Sequence, residues 1–297
     1  MMMKKLPLLA ILGAGVLLLL HPDAAAAAVQ DGLLLCFRTV IPSLFPFFAV
    51  VSLLLGLGLA EYLQGILSPL MKPAFHLRGV CALPLLTGLL GGYPSGAKTA
   101  ADLYSQGLLT RQEAELLLGF CNNCGPGFLY GYVGAGILGD SRAGLALFVI
   151  HAAAALLTGA ALCRLCPGRG PALLHGRTAA KPVSFPQALT AAVASALSST
   201  LQICAFVVLF QALTALIPLP GAALGALEMV AGVAAVEPGP AGFIAAAAIV
   251  GWGGLCVHCQ ALSTAAPAGL SMRWHWAGKA TQALVSAALA AGLTLLA

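Results

Sequence analysis

The chain has 297 residues, of which 60% are hydrophobic and only 8% are charged, and its mean hydropathy is +0.99. Soluble domains carry about a quarter of charged residues, so this composition excludes a soluble globular domain. The net charge of +5 comes from scattered Lys and Arg, which indicate membrane topology and form no basic surface for nucleic acid. We therefore expect an all-α, polytopic transmembrane helical protein with no nucleic-acid partner.

Residues 1–32 predict an N-terminal transmembrane helix, or a signal-like segment, followed by a loop. Lys4 and Lys5 precede the apolar run Leu6–Leu20, and the alanines that follow offer a cleavage site. Another apolar stretch begins at once. Retention as a helix, with both lysines in the cytoplasm, and removal as a signal peptide therefore both stay open.

The first half of the protein is expected to occupy residues 33–163. Its first span runs from about Leu33 to Leu59, and Pro42 and Pro46 should kink that helix because they break its hydrogen-bond ladder. The following segment, Glu61–Arg78, is short, charged and interrupted by prolines. We expect it to lie along the cytoplasmic interface.

A re-entrant hairpin is predicted at Val80–Lys98, whose apolar part is short and rich in Gly and Pro. Thr110 and Glu113 then form a helix-start capping box. The helix that begins there meets the sequence FCNNCGP at residues 120–126. Because Pro interrupts a helix, backbone carbonyls near Asn122 should be left unpaired at membrane depth.

A basic linker is expected at residues 164–184, after an uninterrupted span at Ala143–Leu162. It holds Arg164, Arg169, Arg177 and Lys181 and no acidic residue. Such an excess of positive charge is the mark of a cytoplasmic loop. The linker therefore divides the protein into two halves.

The second half, residues 185–297, begins with a long apolar helix at Phe185–Ile217. A polar stripe on this helix should face protein, because lipid offers no hydrogen-bond partner. The stripe comprises Ser195, Ser198, Ser199, Thr200 and Gln202. A short segment rich in small residues, Gly221–Glu237, follows and carries Glu228.

Two more crossings complete the second half. The first, Gly242–Leu262, is interrupted by the sequence GWGGLCVHCQ at residues 251–260. The second runs from about His275 to Leu296, with tryptophans beside its start as interfacial anchors. Arg273 and Lys279 are expected on its inner, cytoplasmic side.

The two halves share an order of elements: a long helix, a short broken hairpin, an interrupted crossing and an uninterrupted span. Hairpin and interruption lie about 30 residues apart in each half, from Gly92 to Asn123 and from Glu228 to Val257. With a cytoplasmic linker, the first hairpin enters from the cytoplasm and the second from outside, so the repeats are inverted. Such transporters bind solute near the bilayer midplane, where paired broken segments meet.

Five motifs occur in order along nearly the whole chain. They are IPSLFPFF at 41–48, GGYPSGAKTAADLY at 91–104, GLLTRQEAELLLGFCNNCGP at 107–126, LEM at 227–229 and GGLCVHCQ at 253–260. With these motifs the chain resembles the YlbJ-type sporulation integral membrane proteins, of the nucleoside-recognition or Gate domain group. The resemblance implies a bacterial membrane protein needed for the spore cortex. It also implies a fold similar to concentrative nucleoside transporters and to the Gate regions of ferrous-iron transporters.

Ionisable and amide side chains within the broken motifs are the candidate solute site. Charges at membrane depth are costly, so Lys98 and Glu228 either bind a solute, couple ions, or lock the hairpins as an internal pair. The amides suit an uncharged or zwitterionic solute, or else join helices. The expected solute-binding residues are Gly92, Tyr93, Ser95, Lys98, Asn122, Asn123, Glu228, His258 and Gln260. The expected structural breaks are Gly91, Pro94, Gly96, Gly125, Pro126, Gly253 and Gly254.

Three CxxC pairs raise the question of a metal. They are Cys121 with Cys124, Cys163 with Cys166, and Cys256 with Cys259 beside His258. Four cysteines and a histidine are suitable zinc ligands if the two breaks meet, but the family pattern does not need them, and small-residue packing within the spans is the favoured explanation. We expect neither metal nor cofactor. We also expect no enzymatic activity, because no nucleophile elbow surrounds Ser95 and no phosphate-binding loop is present.

We therefore expect a sporulation integral membrane protein with two inverted Gate-like repeats. It should lie, as a multi-pass protein, in the cell membrane or a membrane of the developing spore. Its expected function is to transport or conduct a small polar solute needed for spore cortex formation. The expected partners are the lipid bilayer, that solute and other sporulation membrane proteins. The alternative is a membrane assembly factor that moves nothing and recruits cortex-building partners through the linker.

Overall fold

A computed structural model describes residues 5–58, 62, 66, 69, 71–165, 184–217 and 219–296, and this part of the chain is helical and contains no strand. Four helical segments in it are long and apolar enough to cross a membrane. They are Ser141–Leu165, Phe185–Ala215, Pro240–Ala265 and Arg273–Leu296. The all-α, multi-pass architecture predicted from the sequence is therefore confirmed. The prediction for the linker lies outside the described residues at 166–183, as does much of Glu61–Arg78.

The N-terminal region is bent and not a helix followed by a loop. Helices α1 (Lys5–Leu20) and α2 (Pro22–Leu35) meet at an angle of 101°. Residues 22–32, expected to be mostly loop, are helical. Two features explain this: Ala is the strongest helix former, and Pro22 stands in the first turn, where a missing N–H does no harm.

Helix α2 continues through a π-helical turn, Cys36–Val40, directly into α3 (Ile41–Gly56). Pro42 has no N–H to donate to the carbonyl of Arg38, so the regular ladder is interrupted where the π-helical turn lies. The predicted disturbance by proline thus takes the form of a widened turn. The helix continues beyond it with Pro46 inside α3.

The continuous helix from Pro22 to Gly56 packs antiparallel along α8 (Phe185–Ala215). Three contacts mark the pairing from one end to the other: Gly32 with Val208, the thiol of Cys36 with the carbonyl oxygen of Cys204 at 3.9 Å, and Gly56 with Ala188. These contacts show which residue of one helix lies at the same level, or height, along the helix axes as a given residue of the other.

The first hairpin consists of α4 (Ala82–Gly91) and α5 (Ser95–Ser105), which pack against each other. Thr87 donates a hydrogen bond to Thr99 across the pair at 3.0 Å. A Cβ atom added to Gly88 or Gly96 would overlap the carbonyl oxygen of Cys121. Glycine at both positions therefore lets the hairpin approach the backbone at Cys121 closely.

Helix α6 (Arg111–Leu118) begins at the predicted capping box, which is confirmed. The Thr110 hydroxyl accepts a hydrogen bond from the Glu113 backbone N–H at 3.1 Å, and the Glu113 carboxylate accepts one from the Thr110 backbone N–H at 2.9 Å. Arg78 forms a bidentate ion pair with this carboxylate, in which Nε donates to Oε1 at 2.7 Å. The start of α6 is thereby fixed to the segment before α4.

We expect Glu113→Gln to destabilise the purified protein by about 1 kcal/mol at neutral pH, the upper range for a partly exposed ion pair. Burial alone would raise the pKa of Glu113, but the bonds from Arg78 and Thr110 hold it below the usual 4.5. The contribution is therefore complete above pH 4.5 and is lost as the pH falls through the lower folded-state pKa. Melting curves of both proteins at decreasing pH should converge only below 4.5; a gap that closes at higher pH would contradict this.

The rest of the described chain is a series of helices, two pairs of which are each interrupted by a short break. A π-helical segment, Phe128–Ile137, precedes α7 (Ser141–Leu165). The second half holds α8, α9 (Gly221–Leu227), α10 (Met229–Ala234), α11 (Pro240–Trp252), α12 (Gly254–Ala265) and α13 (Arg273–Leu296). Thus α9 with α10, and α11 with α12, are each joined through a single break.

Contacts between the two halves come in matching pairs. Helix α5 of the first half packs against α12 of the second, while α10 of the second packs against Phe128–Ile137 of the first. Likewise α6 packs against α13, and α11 against α7. Elements that correspond in chain order therefore make corresponding contacts, and the halves interlock.

The predicted polar stripe of α8 is divided between two faces. Ser199 and Thr200 are buried, but Ser198 and Gln202 are exposed on the outer surface. Within one copy of the chain, therefore, only part of the stripe faces protein. Neighbouring residues of an α-helix point about 100° apart, so a run of consecutive polar positions does not share one face.

Candidate functional site

We use chain break for a place where a helix is interrupted and the polypeptide continues. The first chain break follows α6, where residues 121–125 have no regular helix. Pro126 lacks an N–H and begins the next helical turn. Asn122 and Asn123 lie in this break and are completely buried. The carbonyl groups of the break are thus available to side chains from other helices.

The second chain break separates α11 from α12 at two successive glycines. Gly253 has φ +89° and Gly254 has φ +75°, a backbone conformation that L side chains rarely adopt. A Cβ on Gly254 would lie 2.9 Å from the backbone nitrogen of Met229. This break therefore lies against the junction of α9 and α10.

The tip of the first hairpin contacts both breaks. Gly92, with φ +82°, lies against Gly125 in the first break, where an added Cβ would be 3.1 Å from the Gly125 nitrogen. Ser95 closes the tip by donating to the Gly92 carbonyl at 2.7 Å. Tyr93 reaches the second half and donates its hydroxyl to the Val250 carbonyl at 2.9 Å.

Lys279, on α13, is completely buried where these segments meet. Its ammonium donates to the Tyr93 hydroxyl at 2.9 Å, the Asn122 carbonyl at 3.1 Å and the Gln282 amide oxygen at 2.9 Å. All three ammonium donors are therefore used, and no acidic residue in the described chain pairs with them. The side chain of Lys279 turns into the protein, and the expectation that this residue lies on the cytoplasmic side stays a prediction.

Gln282 extends this network toward α7. Its amide nitrogen donates to the Asn123 side-chain oxygen at 2.9 Å, and Asn123 donates in turn to the Phe120 carbonyl at 2.8 Å. His151 Nε2 accepts the backbone N–H of Cys124 at 3.0 Å. We name these six side chains the central polar cluster: Tyr93, Asn122, Asn123, His151, Lys279 and Gln282.

Several polar atoms at the cluster are buried and have no partner in the described chain. Neither side-chain atom of Asn122 forms a hydrogen bond, and the same holds for His151 Nδ1 and Ser286 Oγ. Because His151 Nε2 is an acceptor, the neutral ring carries its proton on Nδ1. His151 and Ser286 also line a narrow gap between α7, α11 and α13.

A histidine pair lies closer to the start of α13. His275 Nδ1 donates to the Leu118 carbonyl at 3.0 Å, and His258 Nδ1 lies 2.8 Å from His275 Nε2. Because a carbonyl can only accept, His275 carries its proton on Nδ1, and its Nε2 accepts a hydrogen bond from His258 Nδ1. The second nitrogen of a neutral His258, Nε2, is then an acceptor, and it has no partner in the described chain. The rings of Trp252 and Trp276 flank His258 at 4.3 and 4.4 Å.

Glu228 and Gln260 are buried but form no hydrogen bond with the central polar cluster. Glu228 lies between α9 and α10, where its carboxylate caps α10 by accepting the Ala231 N–H at 2.6 Å. Gln260 donates to the thiol of Cys256 at 3.4 Å. Both residues thus lie at the second hairpin and break.

Lys98 is half-buried and pairs with Asp102 one turn later on α5, at 2.8 Å. This pair lies within one helix, so it is not the internal pair that was expected, as an alternative, to lock the two hairpins together. Of the nine residues expected to bind solute, the structure brings Tyr93, Asn122 and Asn123 into the central polar cluster.

The sequence reasoning missed Lys279, Gln282 and His151. Lys279 was assigned to the interface because it lies near the start of the last span. An ionisable residue inside a membrane helix is by default a functional-site candidate. That signal was present for Lys279 at α13 and for His151 within α7.

The cysteine pairs do not form a metal centre in the described chain. No three His, Cys, Asp or Glu side chains in that part of the molecule converge on one point. Cys166, a member of the second pair, lies outside the described residues. Cys121 and Cys124 are fully buried among apolar side chains, as expected of small packing residues.

Comparison with known proteins gives one family and one curated relative. The family model described as Gate, nucleoside recognition, matches residues 37–217. The sporulation integral membrane protein YlbJ of Bacillus subtilis (strain 168) is 37% identical over 131 residues, covering 44% of this chain and 32% of that relative. No solved structure matches. The chain thus spans about a third of the relative's length, and since the family model covers more than half of the chain, this multi-pass membrane protein belongs to the Gate family.

Proposed function

We propose that the protein moves a small, polar, uncharged solute across the membrane through the central polar cluster. The observation that carries this proposal is the side-chain amide of Asn122, which is completely buried and has no hydrogen-bond partner. A buried donor or acceptor left unpaired costs about 1–3 kcal/mol. A bound solute that supplies both partners removes this cost.

The free groups of the cluster define the class of solute. The Asn122 amide presents a donor beside an acceptor, which matches the paired acceptor and donor of an amide, a ureide or a nucleobase edge. His151 Nδ1 adds a donor, and Ser286 a donor and an acceptor. The Lys279 ammonium has no free hydrogen, so it has no further hydrogen bond to donate to the solute, and no carboxylate in the described chain balances its charge. A nucleoside, named in the family's description, belongs to this class.

The arrangement of the two halves supports a transport route. Each half has a hairpin, α4 with α5 or α9 with α10, followed by a broken helix. The matching contacts between halves are those that a pseudo-twofold axis in the membrane plane would produce. We take the halves as inverted Gate-like repeats, with both hairpins re-entrant and the solute bound where hairpin tip and breaks meet.

Glu228, His258 and Gln260 belong to the corresponding region of the second half in this proposal. Glu228 holds the second hairpin in shape through its cap, and His258 pairs with His275 of α13 while its Nε2 has no partner in the described chain. The proposal assigns solute contact first to Tyr93, Asn122 and Asn123. Gly92 and Ser95 form the hairpin tip that positions Tyr93. No step in the proposal is enzymatic.

The relative's name supports a role in sporulation, because the relative is a sporulation integral membrane protein. We place this protein's action in spore cortex formation, as the route by which the solute enters or leaves a compartment of the developing spore. The test is complementation in a spore-forming host that lacks its own relative. Wild-type protein should restore cortex, and an Asn122→Leu variant should not.

Asn122→Leu and Asn123→Leu form a matched pair of predictions. Asn122→Leu removes an amide that has no partner, so stability should be unchanged or higher, while solute binding weakens about tenfold to a hundredfold. Asn123→Leu breaks the bonds to Phe120 and Gln282, so it should destabilise the protein by about 1–3 kcal/mol. Melting curves of the two purified variants check the stabilities.

Normal cortex with Asn122→Leu would contradict the transport proposal. In that case the assembly-factor alternative gains support, and replacing Arg164 to Lys181 with a neutral linker of equal length should then abolish the cortex. A transporter tolerates that replacement, provided that the inside-outside orientation is verified.

A further inference from the structure

One charged side chain faces outward at the level of the middle of α8, which is long and apolar enough to cross a membrane. Arg38 lies in the π-helical turn Cys36–Val40, about halfway along the continuous helix from Pro22 to Gly56. It is exposed, as is its neighbour Phe37, and the described chain offers it no hydrogen bond or ion pair. Arginine facing hydrocarbon at mid-membrane depth is strongly disfavoured, so this position requires a partner.

A polar pair lies at the same height on the neighbouring helix. The contacts of Cys36 with Cys204 and of Gly56 with Ala188 fix the antiparallel pairing of the two helices. By this pairing Arg38 is level with Gln202, which is near the middle of α8. Gln202 and Ser198, one turn away, both face outward. We name Arg38, Ser198 and Gln202 the outer polar patch.

The height match identifies a second copy of the chain as the partner. Copies in one membrane are related by a symmetry axis along the membrane normal, which keeps every residue at its own height. Arg38 of one copy is therefore level with the Gln202 amide oxygen of the next, an acceptor that complements the guanidinium. Asp31 of the next copy is not level with Arg38, because it lies two turns along the same helix, about 10 Å away in height. The central cluster is not involved, so this interface is independent of any transported solute.

We propose that the protein self-associates through the outer faces of α8 and the helix that contains Arg38, with Arg38 donating to Gln202 of the neighbouring copy. Hydrogen bonds between helices stabilise association in lipid, where apolar surface alone does not drive it. The π-helical turn serves this contact, because it turns Arg38 outward from a helix whose opposite face packs on α8.

The test is the association of fluorescently tagged, full-length protein in phosphatidylcholine vesicles, measured by single-molecule photobleaching at several protein densities. Wild-type protein should form dimers or larger closed assemblies. Arg38→Leu and Gln202→Leu should each weaken association by about tenfold or more, since each removes a charge-assisted bond at every interface. Both variants should fold, because leucine suits a lipid-facing position; unchanged melting curves verify this.

Cross-linking supplies the matched control. Copies carrying Arg38→Cys, mixed with copies carrying Gln202→Cys, should form a disulfide between chains on oxidation with copper phenanthroline. Leu209→Cys, also outward but two turns away, should not react with Arg38→Cys. A monomeric wild type, or association unaffected by both leucine variants, would overturn the proposal. The proposal would also be overturned if the wild-type protein stayed monomeric and bound anionic lipid, and the Arg38→Leu variant did not bind it.

Discussion

Replacing Lys279 with methionine is expected to abolish solute uptake while the protein still accumulates and remains folded. The ammonium joins the hairpin tip, the first chain break and α13 through three hydrogen bonds. Without it, the Asn122 segment loses the contact that holds its amide toward the cluster. Uptake should therefore fall to background, and sporulating cells should lack cortex.

Stability should change little in this variant, because two large effects oppose each other. Burying an ammonium without a carboxylate partner costs several kcal/mol, which methionine relieves. The acceptors left unpaired cost about 1–3 kcal/mol each. A matched control is Thr281→Ala on the same helix, whose hydroxyl bonds only to the Ala277 carbonyl; it should keep full uptake. Full uptake by Lys279→Met would show that the ammonium is not needed.

Gly96→Ala is expected to destabilise the protein by about 3 kcal/mol or more, and to lower its accumulation in the membrane. The added methyl would overlap the carbonyl oxygen of Cys121, which is backbone and has little freedom to move. Overpacking of a tight contact costs typically about 1–3 kcal/mol, and more where the neighbour is rigid. The first hairpin would be forced away from the chain break.

Gly292→Ala is the control, for which we expect the stability of the protein to change in the opposite direction. Gly292 is a helical glycine of α13, and a Cβ there would meet no atom within 4 Å. Alanine is favoured over glycine in a helix by about 1 kcal/mol, so this variant should be more stable. Melting curves of both variants in detergent give the comparison. Equal stabilities would mean that the hairpin does not depend on close packing at Gly96.

Much of the fold could be predicted from the sequence, because its signals are local. Composition identifies the membrane, and the Thr110 capping box identifies the start of α6. Successive glycines at 253 and 254, and the Gly125–Pro126 pair, interrupt a helix whatever surrounds them. The α8 stripe was less predictable, since the side to which Ser198 turns depends on which helices pack against α8.

The central polar cluster was only half predicted, because it is assembled by tertiary contacts. Asn122 and Asn123 were identified since they lie in a broken motif. Lys279 and Gln282 lie in an otherwise regular helix, where neither glycine nor proline indicates a site. Lys98 gave the stronger sequence signal because it follows the hairpin motif, but its pairing with Asp102 depends only on their spacing along one helix.

Uptake by purified protein in liposomes tests the central claim most directly. Vesicles with wild-type protein, with Asn122→Leu or with no protein would be offered a panel of labelled solutes that includes nucleosides, nucleobases, amides, amino acids and carboxylic acids. The account predicts that wild-type vesicles take up at least one uncharged solute with adjacent donor and acceptor groups, and that Asn122→Leu takes it up at a tenth of the rate or less. Equal uptake by wild-type and Asn122→Leu vesicles, or selective uptake of carboxylic acids alone, would contradict it.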